Sequence, residues 1–154
     1  MTAAIEGRAV RFGYGPVPVL DGLDVRVDRG QLVVLTGPNG SGKSTLIKLT
    51  VGLLSPDQGQ VLVLGRPASD PRVRRSIGYA PQGSPGRMVL PVSVTEVVAS
   101  GLVTGWRGGR QDGDVAEALE AVGMTALGAE CVFELSGGQQ QRAVIARALV
   151  GDRP

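Results

Sequence analysis

The chain contains no histidine, and it has only one cysteine among its 154 residues. Without histidine, these residues can supply neither an imidazole general base nor an imidazole metal ligand. The single cysteine, Cys131, cannot form a disulfide within the chain, which favours a reducing compartment. Long hydrophobic runs are also missing, since no apolar stretch approaches 18 residues and no basic-then-apolar leader opens the sequence. These features predict a soluble, cytosolic chain that can still dock on a membrane protein.

Lysine is scarce as well, and the net charge is small. Lys43 and Lys48 are the only lysines, and the formal net charge is +2. A charge this small and scattered does not predict nucleic acid as a partner. The one basic cluster, Arg72, Arg74 and Arg75, is interpreted as a solvated face.

What the chain has in abundance is glycine, and the most informative glycines lie near residue 40. The stretch GPNGSGKST fits the phosphate-loop pattern G-x-x-x-x-G-K-[ST]. Its glycines permit positive φ and a close backbone approach to an anion, while Lys43 supplies charge and the Ser44 hydroxyl suits Mg²⁺. A glycine-rich turn without a ligand is the alternative. The candidate phosphate-binding residues are Gly37, Pro38, Asn39, Gly40, Ser41, Gly42, Lys43, Ser44 and Thr45.

The flanking residues predict a strand, a loop and a helix in that order. Residues 31–35 form a short apolar run typical of a buried strand, and residues 44–51 predict a helix whose N-terminus faces the phosphates. Residues 23–27 alternate between apolar and polar, as in a half-exposed antiparallel strand. Other strands are predicted at residues 6–12, 60–64 and 77–80.

From Pro91 onward, the sequence changes to helical patterns. Capping-box patterns at Ser93 and Asp114 each predict a helix start, and Gly123 ends the second helix. A loose polar link is expected at residues 106–113. Residues 91 to about 134 therefore predict a helical insert on an α/β body.

A second motif, LSGGQ at residues 135–139, precedes the last predicted helix, at about residues 138–150. A Ser-Gly-Gly turn at a helix N-terminus suits an anion, but it also suits a plain helix cap. These residues alone leave both interpretations open. The apolar positions predicted for the helix are Ala143, Ile145, Ala146, Leu149 and Val150.

Together, the two motifs give the chain a resemblance to the ATP-binding cassette (ABC) family of ATPases over nearly its whole length. Residues 37–45 match the Walker A motif, and LSGGQ matches the ABC signature letter for letter. By resemblance, Tyr14 stacks on adenine and Gln82 is the Q-loop glutamine, a second Mg²⁺ ligand beside Ser44. An ordinary turn aromatic and a surface amide remain the alternatives for these two residues. The resemblance also assigns Lys43 as catalytic, and adds four nucleotide-binding residues in the signature: Ser136, Gly137, Gly138 and Gln139.

The resemblance implies an α/β P-loop NTPase fold of ABC type. This fold has a mixed sheet core, a small antiparallel N-terminal β region and a helical subdomain. The implied division is a nucleotide-binding core with Walker A and Q-loop at residues 1–90, a helical subdomain at 91–135, and the signature with its helix at 136–154.

The implied function is that of an ABC transporter's ATP-binding subunit, with ATP and Mg²⁺ as cofactors. Its expected partners are a membrane permease and a second ATPase protomer in a head-to-tail dimer, without nucleic acid. Such a subunit lies in the cytoplasm, peripheral on the inner face of the cell membrane. The sequence looks most like zinc/manganese-type importers, which favours metal ions as the cargo.

The sequence departs from the family at Pro154, before the Walker B strand with its Mg²⁺-binding Asp and catalytic Glu. A chain without this C-terminal part of the core is expected to hydrolyse little ATP, and residues 31–35 are expected to lose strand partners and expose apolar faces. One alternative is therefore a nucleotide-binding module without turnover. The other, a soluble ABC ATPase acting on DNA or ribosomes, would be favoured by a second cassette or a long basic arm.

Overall fold

The computed structural model describes residues 3–81, 91–102 and 111–150, which fall into two compact units, Met1–Ser76 and Ile77–Pro154. The first unit contains a four-stranded antiparallel sheet in the order β2-β1-β3-β4. Its strands are β1 (Ala3–Phe12), β2 (Leu20–Asp28), β3 (Gln58–Val63) and β4 (Arg66–Pro67). The predicted antiparallel N-terminal region is confirmed.

The outer strand β2 shows the alternation that its sequence predicts. Leu23, Val25 and Val27 are half-buried, whereas Asp24 and Arg26 are exposed. One face of this edge strand therefore packs inward while the other meets water, as expected for an antiparallel sheet with one solvated face.

Helix α1 (Lys43–Thr50) follows the glycine-rich loop and packs against β3. The short helix α2 (Pro71–Arg75) is capped by Asp70, whose carboxylate accepts a hydrogen bond from the backbone N–H of Arg72 at 2.8 Å. The three arginines at residues 72, 74 and 75 are exposed, as predicted. The buried apolar residues of this unit are Ala3, Val10, Phe12, Leu20, Leu46, Leu49, Val61, Val63, Ala68 and Val73.

Two predicted strands are absent from the described residues. Residues 31–35 and 77–80 have irregular backbone, and neither segment pairs with the four-stranded sheet. In the first segment, Leu32 is 94% exposed and Val34 73%. A strand needs a neighbour for its backbone N–H and C=O groups, and among the described residues this apolar run has none. The fold prediction was therefore wrong for these two strands, while the expected exposure of residues 31–35 is observed.

The second unit is helical and has its own core. Helices α3 (Val94–Ala99), α4 (Gln111–Ala121) and α5 (Gly137–Leu149) pack on one another. The capping box predicted at Ser93 is confirmed, since Ser93 and Glu96 bond reciprocally. The core residues are Val94, Val97, Val98, Val115, Ala118, Leu119, Met124, Val132, Ala143, Ala146 and Val150.

The start of α4 differs from the prediction. Because α4 begins at Gln111, Asp114 lies inside the helix rather than at its cap, and residues 111–113 are helical rather than part of a loose link. The rest of that predicted link, at residues 106–110, lies outside the described residues. Gly123 follows the helix end with a φ of 66°, as a C-terminal glycine should.

The apolar positions of α5 were predicted only in part. Ala143, Ala146 and Val150 are buried, but Ile145 is 38% exposed and Leu149 53%. Val144, which was not predicted to be buried, is nearly inaccessible. The error arises because residues four apart share a helix face, and the face that carries Ile145 and Leu149 is not the one that packs on α3 and α4.

No helix in residues 3–81, 91–102 and 111–150 combines the length and the apolar character needed to cross a membrane.

Candidate functional site

The loop before α1 depends on its glycines. Gly37, Gly40 and Gly42 have φ values of 148°, 84° and 86°, which residues with a Cβ disfavour. Gly42 is also buried, and a Cβ at this position would lie 2.8 Å from Leu20 Cδ2. Its carbonyl accepts the first helical bond from the N–H of Leu46 at 2.8 Å. The glycine pattern thus serves a tight loop that leads directly into a helix.

The N-terminus of α1 is suited to an anion. Gly42 occupies the N-cap position without a side-chain cap, and the first turn contains no acidic residue. The backbone N–H groups of that turn therefore have neither a side-chain acceptor at the cap nor a neighbouring carboxylate to offset the positive end of the helix dipole. Both features favour a bound phosphate.

Lys43 adds a full positive charge at the same place. Its Nζ donates to the carbonyl oxygens of Gly37 at 2.8 Å and Pro38 at 2.6 Å, and lies 3.5 Å from Ser41 Oγ. These contacts hold the ammonium group within the loop. Ser44, in the first turn of α1, is exposed and free to offer its hydroxyl to an ion. Asn39 and Gly40 belong to the same exposed loop.

Tyr14 lies close to the phosphate loop although it is 31 positions away from Thr45 in the sequence. The two hydroxyl groups are 3.4 Å apart, and Thr45 itself is buried. The Tyr14 ring meets the ring of Phe12 edge to face, with centroids 5.1 Å apart and an interplanar angle of 89°. Since Tyr14 is 64% exposed, its ring keeps surface for stacking.

The signature residues form the start of α5 in the second unit. Ser136 is the N-cap: its Oγ accepts from the N–H of Gln139 at 3.4 Å, and its own N–H donates to Gln139 Oε1 at 2.9 Å. Gln140 Nε2 donates to the carbonyl of Leu135 at 3.1 Å. This reciprocal capping box fixes the entry of the chain into α5.

The two glycines of the signature have no evident role in the fold. Gly137 and Gly138 are exposed, and a Cβ built on either would meet no atom within 4 Å. Neither has a positive φ. Glycine within a helix costs up to about 1 kcal/mol relative to alanine, so in the first turn of α5 these two residues lower the stability of the helix without any packing gain within the described residues.

The structure thus brings Tyr14 and residues 37–45 together in one unit and gathers Ser136, Gly137, Gly138 and Gln139 at one helix start in the other. Gln82 lies outside the described residues. Sequence reasoning missed the Thr45 contact with Tyr14, and it also missed Asp57, which bonds to the loop that carries Tyr14. The only signal for Asp57 in the sequence is its place in SPDQG at residues 55–59, a run of residue types that predicts a turn.

Comparison with known protein families supports the interpretation of the phosphate loop and the signature. The sequence model described as ABC transporter matches residues 20–154. The chain belongs to the ABC transporter family. The fold agrees: cbiO1 from Clostridium perfringens, part of the ABC transporter complex cbiONQ, superposes with a TM-score of 0.80 at 28% identity, over 97% of this chain and 62% of that one.

Curated relatives of this ABC chain include two zinc-system proteins. The zinc transport system ATP-binding protein TroB of Treponema pallidum (strain Nichols) is 43% identical over 154 residues, covering 97% of this chain and 57% of TroB. The high-affinity zinc uptake system ATP-binding protein ZnuC of Bacillus subtilis (strain 168) is 40% identical over 147 residues, covering 92% of this chain and 63% of ZnuC. The chain therefore spans about six tenths of the length of these relatives.

Proposed function

We propose that this chain is the ATP-binding part of an ABC transporter subunit, which couples the binding and hydrolysis of ATP to transport through a membrane permease. The observation that carries the proposal is the uncapped N-terminus of α1, preceded by positive-φ glycines and accompanied by the Lys43 ammonium. Among the phosphate-containing ligands that such a loop can bind, the ABC signature in the same chain favours ATP.

Within this proposal, each of the predicted site residues contacts one part of the nucleotide. The amides of residues 37–45 and the Lys43 ammonium hold the phosphates, and Ser44 supplies a hydroxyl to Mg²⁺. Gln82 is the proposed second Mg²⁺ ligand. The exposed ring of Tyr14 stacks on adenine, and its closeness to Thr45 supports this role.

The signature is proposed to bind the nucleotide of a second protomer. Gly137 and Gly138 are exposed and have no side chains, so the backbone at the start of α5 is open to close approach by the nucleotide of another protomer. A head-to-tail dimer in which each signature faces the partner's phosphate loop satisfies this requirement twice by symmetry. Closure of such a dimer around ATP is the step that transmits nucleotide state to the permease.

The proposed cargo is zinc or manganese, and the proposed location is the cytoplasmic face of the membrane. The zinc assignment rests on the relatives named above, which belong to zinc systems. Manganese and the location are proposed from the resemblance of the sequence to zinc/manganese-type importer subunits. The cargo passes through the permease, so the residues of this chain do not select it.

Two substitutions at Ser136 test the proposal in the full-length protein. Ser136→Asp keeps a good N-cap but adds a negative charge, and Ser136→Arg adds bulk. We expect both to spare ATP binding by the monomer and to abolish ATP-dependent dimerisation, measured by sedimentation velocity with and without ATP. Ser136→Thr, which retains a capping hydroxyl, is the matched control and should still dimerise. Equal loss of binding and dimerisation in a folded variant would place the signature at the nucleotide of its own chain.

Hydrolysis needs a separate measurement, because binding alone also fits a module without turnover. Phosphate release should be recorded beside ATP binding at saturating nucleotide. Binding accompanied by steady release supports an ATPase, and binding without release contradicts the hydrolytic part of the proposal.

A further inference from the structure

The loop that carries Tyr14, residues 13–18, is closed tightly between β1 and β2. The N–H of Val19 donates to the carbonyl of Phe12 at 2.7 Å across its base. A Cβ on Gly13 would lie 2.8 Å from the carbonyl oxygen of Val17, so the chain folds closely on itself. The position of the Tyr14 ring therefore depends on how the first residues of this loop are held.

Asp57 holds these residues from a distant part of the sequence. Its Oδ2 accepts a hydrogen bond from the N–H of Gly13 at 2.9 Å, and its own N–H donates to the carbonyl of Arg11 at 2.8 Å. Asp57 thus bonds on both sides of Phe12, the residue whose ring contacts Tyr14. A carboxylate that accepts from a backbone N–H is among the stronger hydrogen bonds in proteins.

We propose that Asp57 is a positioning residue for the base of the bound nucleotide. It fixes the backbone immediately before Tyr14, while the Thr45 hydroxyl lies at the far end of the ring. The ring is thereby oriented before the nucleotide arrives, which lowers the ordering cost of binding. This inference rests on the proposed function, because it requires that Tyr14 stacks on a base.

The test compares a ligand that has a base with one that lacks it. ATP and inorganic triphosphate both offer phosphates to residues 37–45, but only ATP can use Tyr14. In the full-length protein, we expect Asp57→Ala to weaken ATP binding by about tenfold or less, since Asp57 is exposed, and to leave triphosphate binding unchanged. Titration calorimetry measures both affinities.

Two variants control for simpler explanations. Asp57→Asn retains an oxygen that can accept from Gly13 and should bind ATP nearly as the parent does. Asp70→Ala removes an aspartate of the same unit that also accepts from a backbone N–H, but at the start of α2 rather than at the Tyr14 loop, and it should change neither affinity. In the background of Tyr14→Ala, Asp57→Ala should have no further effect on ATP binding, because the ring it orients is gone.

The outcomes separate this inference from the proposed function. A parent protein that binds neither ligand contradicts the proposed function. A parent that binds ATP while Asp57→Ala binds it equally well contradicts the role of Asp57 alone. Equal weakening of ATP and triphosphate by Asp57→Ala also overturns the inference, because the residue then supports the fold and not the base.

Discussion

The glycines of the phosphate loop and those of the signature occupy opposite situations. Gly37, Gly40 and Gly42 have positive φ, and Gly42 is additionally buried against Leu20. Gly137 and Gly138 have no positive φ and open space around them. The first set is required by the chain's own conformation, and the second set is not required by any atom within the described residues. Positive φ therefore accounts for glycine in the phosphate loop, whereas in the signature only the proposed approach of a partner's nucleotide accounts for it.

The largest expected effect concerns Lys43. In the full-length protein, Lys43→Ala should lower ATP turnover by roughly a hundredfold, about 3 kcal/mol, the scale for losing one preorganised charge at developing negative charge. Steady-state phosphate release at saturating ATP is the measurement. Lys48→Ala, which removes the only other lysine, is the matched control and should leave turnover unchanged. Unchanged turnover in Lys43→Ala would contradict the assignment of Lys43 and its loop as the triphosphate site.

The comparison predicts a second effect, on stability. Gly42→Ala must adopt a φ of about 86° and place its Cβ 2.8 Å from Leu20 Cδ2, so the free energy of unfolding should fall by roughly 1–3 kcal/mol. Gly113→Ala is the control, since Gly113 lies within α4 and its Cβ would meet nothing within 4 Å. That change should raise the free energy of unfolding by up to about 1 kcal/mol. Urea unfolding of both variants measures the difference, and equal destabilisation would contradict it.

These two regions also show what the sequence could and could not predict. The helix after residue 42, the capping box at Ser93 and the helix cap at Ser136 were predictable, because each depends on residues within a few positions of one another. The irregular backbone at residues 31–35 and 77–80 was not predictable, because an apolar run forms a strand only where a neighbouring strand pairs with it.

Contacts between distant residues explain the other differences. The bond from Asp57 to Gly13 spans 44 positions, and no local pattern indicates it. The exposure of Ile145 and Leu149 likewise depends on which face of α5 meets α3 and α4, and composition alone does not specify this face.

Replacement of Gly138 should change the stability of the fold only slightly, but it should abolish dimerisation. Because a Cβ there meets nothing within 4 Å, Gly138→Ala should leave the fold unchanged or stabilise it by up to about 1 kcal/mol. If the space is reserved for a partner's nucleotide, the same variant should lose ATP-dependent dimerisation. Thermal unfolding and sedimentation velocity test the two halves separately. A variant that is more stable and still dimerises would contradict the proposal that the partner's nucleotide needs the space around Gly138.

The smallest effect distinguishes the two capping boxes by pH. In α3 the box closes through the carboxylate of Glu96, which accepts from the N–H and hydroxyl of Ser93, both at 2.7 Å, whereas in α5 it closes through the neutral amide of Gln139. The backbone hydrogen bond from Ser93, followed by the bond from its hydroxyl, lowers the pKa of Glu96. Because the folded-state pKa lies below the unfolded one, the stabilisation is complete above the unfolded pKa and is lost as the pH falls through the folded one.

Glu96→Gln should therefore flatten the acid side of the stability profile, since the amide oxygen can accept the same bonds without titrating. The measurement is the urea midpoint of the parent and of Glu96→Gln between neutral pH and the onset of acid unfolding. The parent should lose more stability than the variant as the pH drops below the ordinary pKa of a glutamate. Parallel profiles would mean that the Glu96 bonds to Ser93 contribute nothing that depends on charge, and the two capping boxes would then be equivalent in acid.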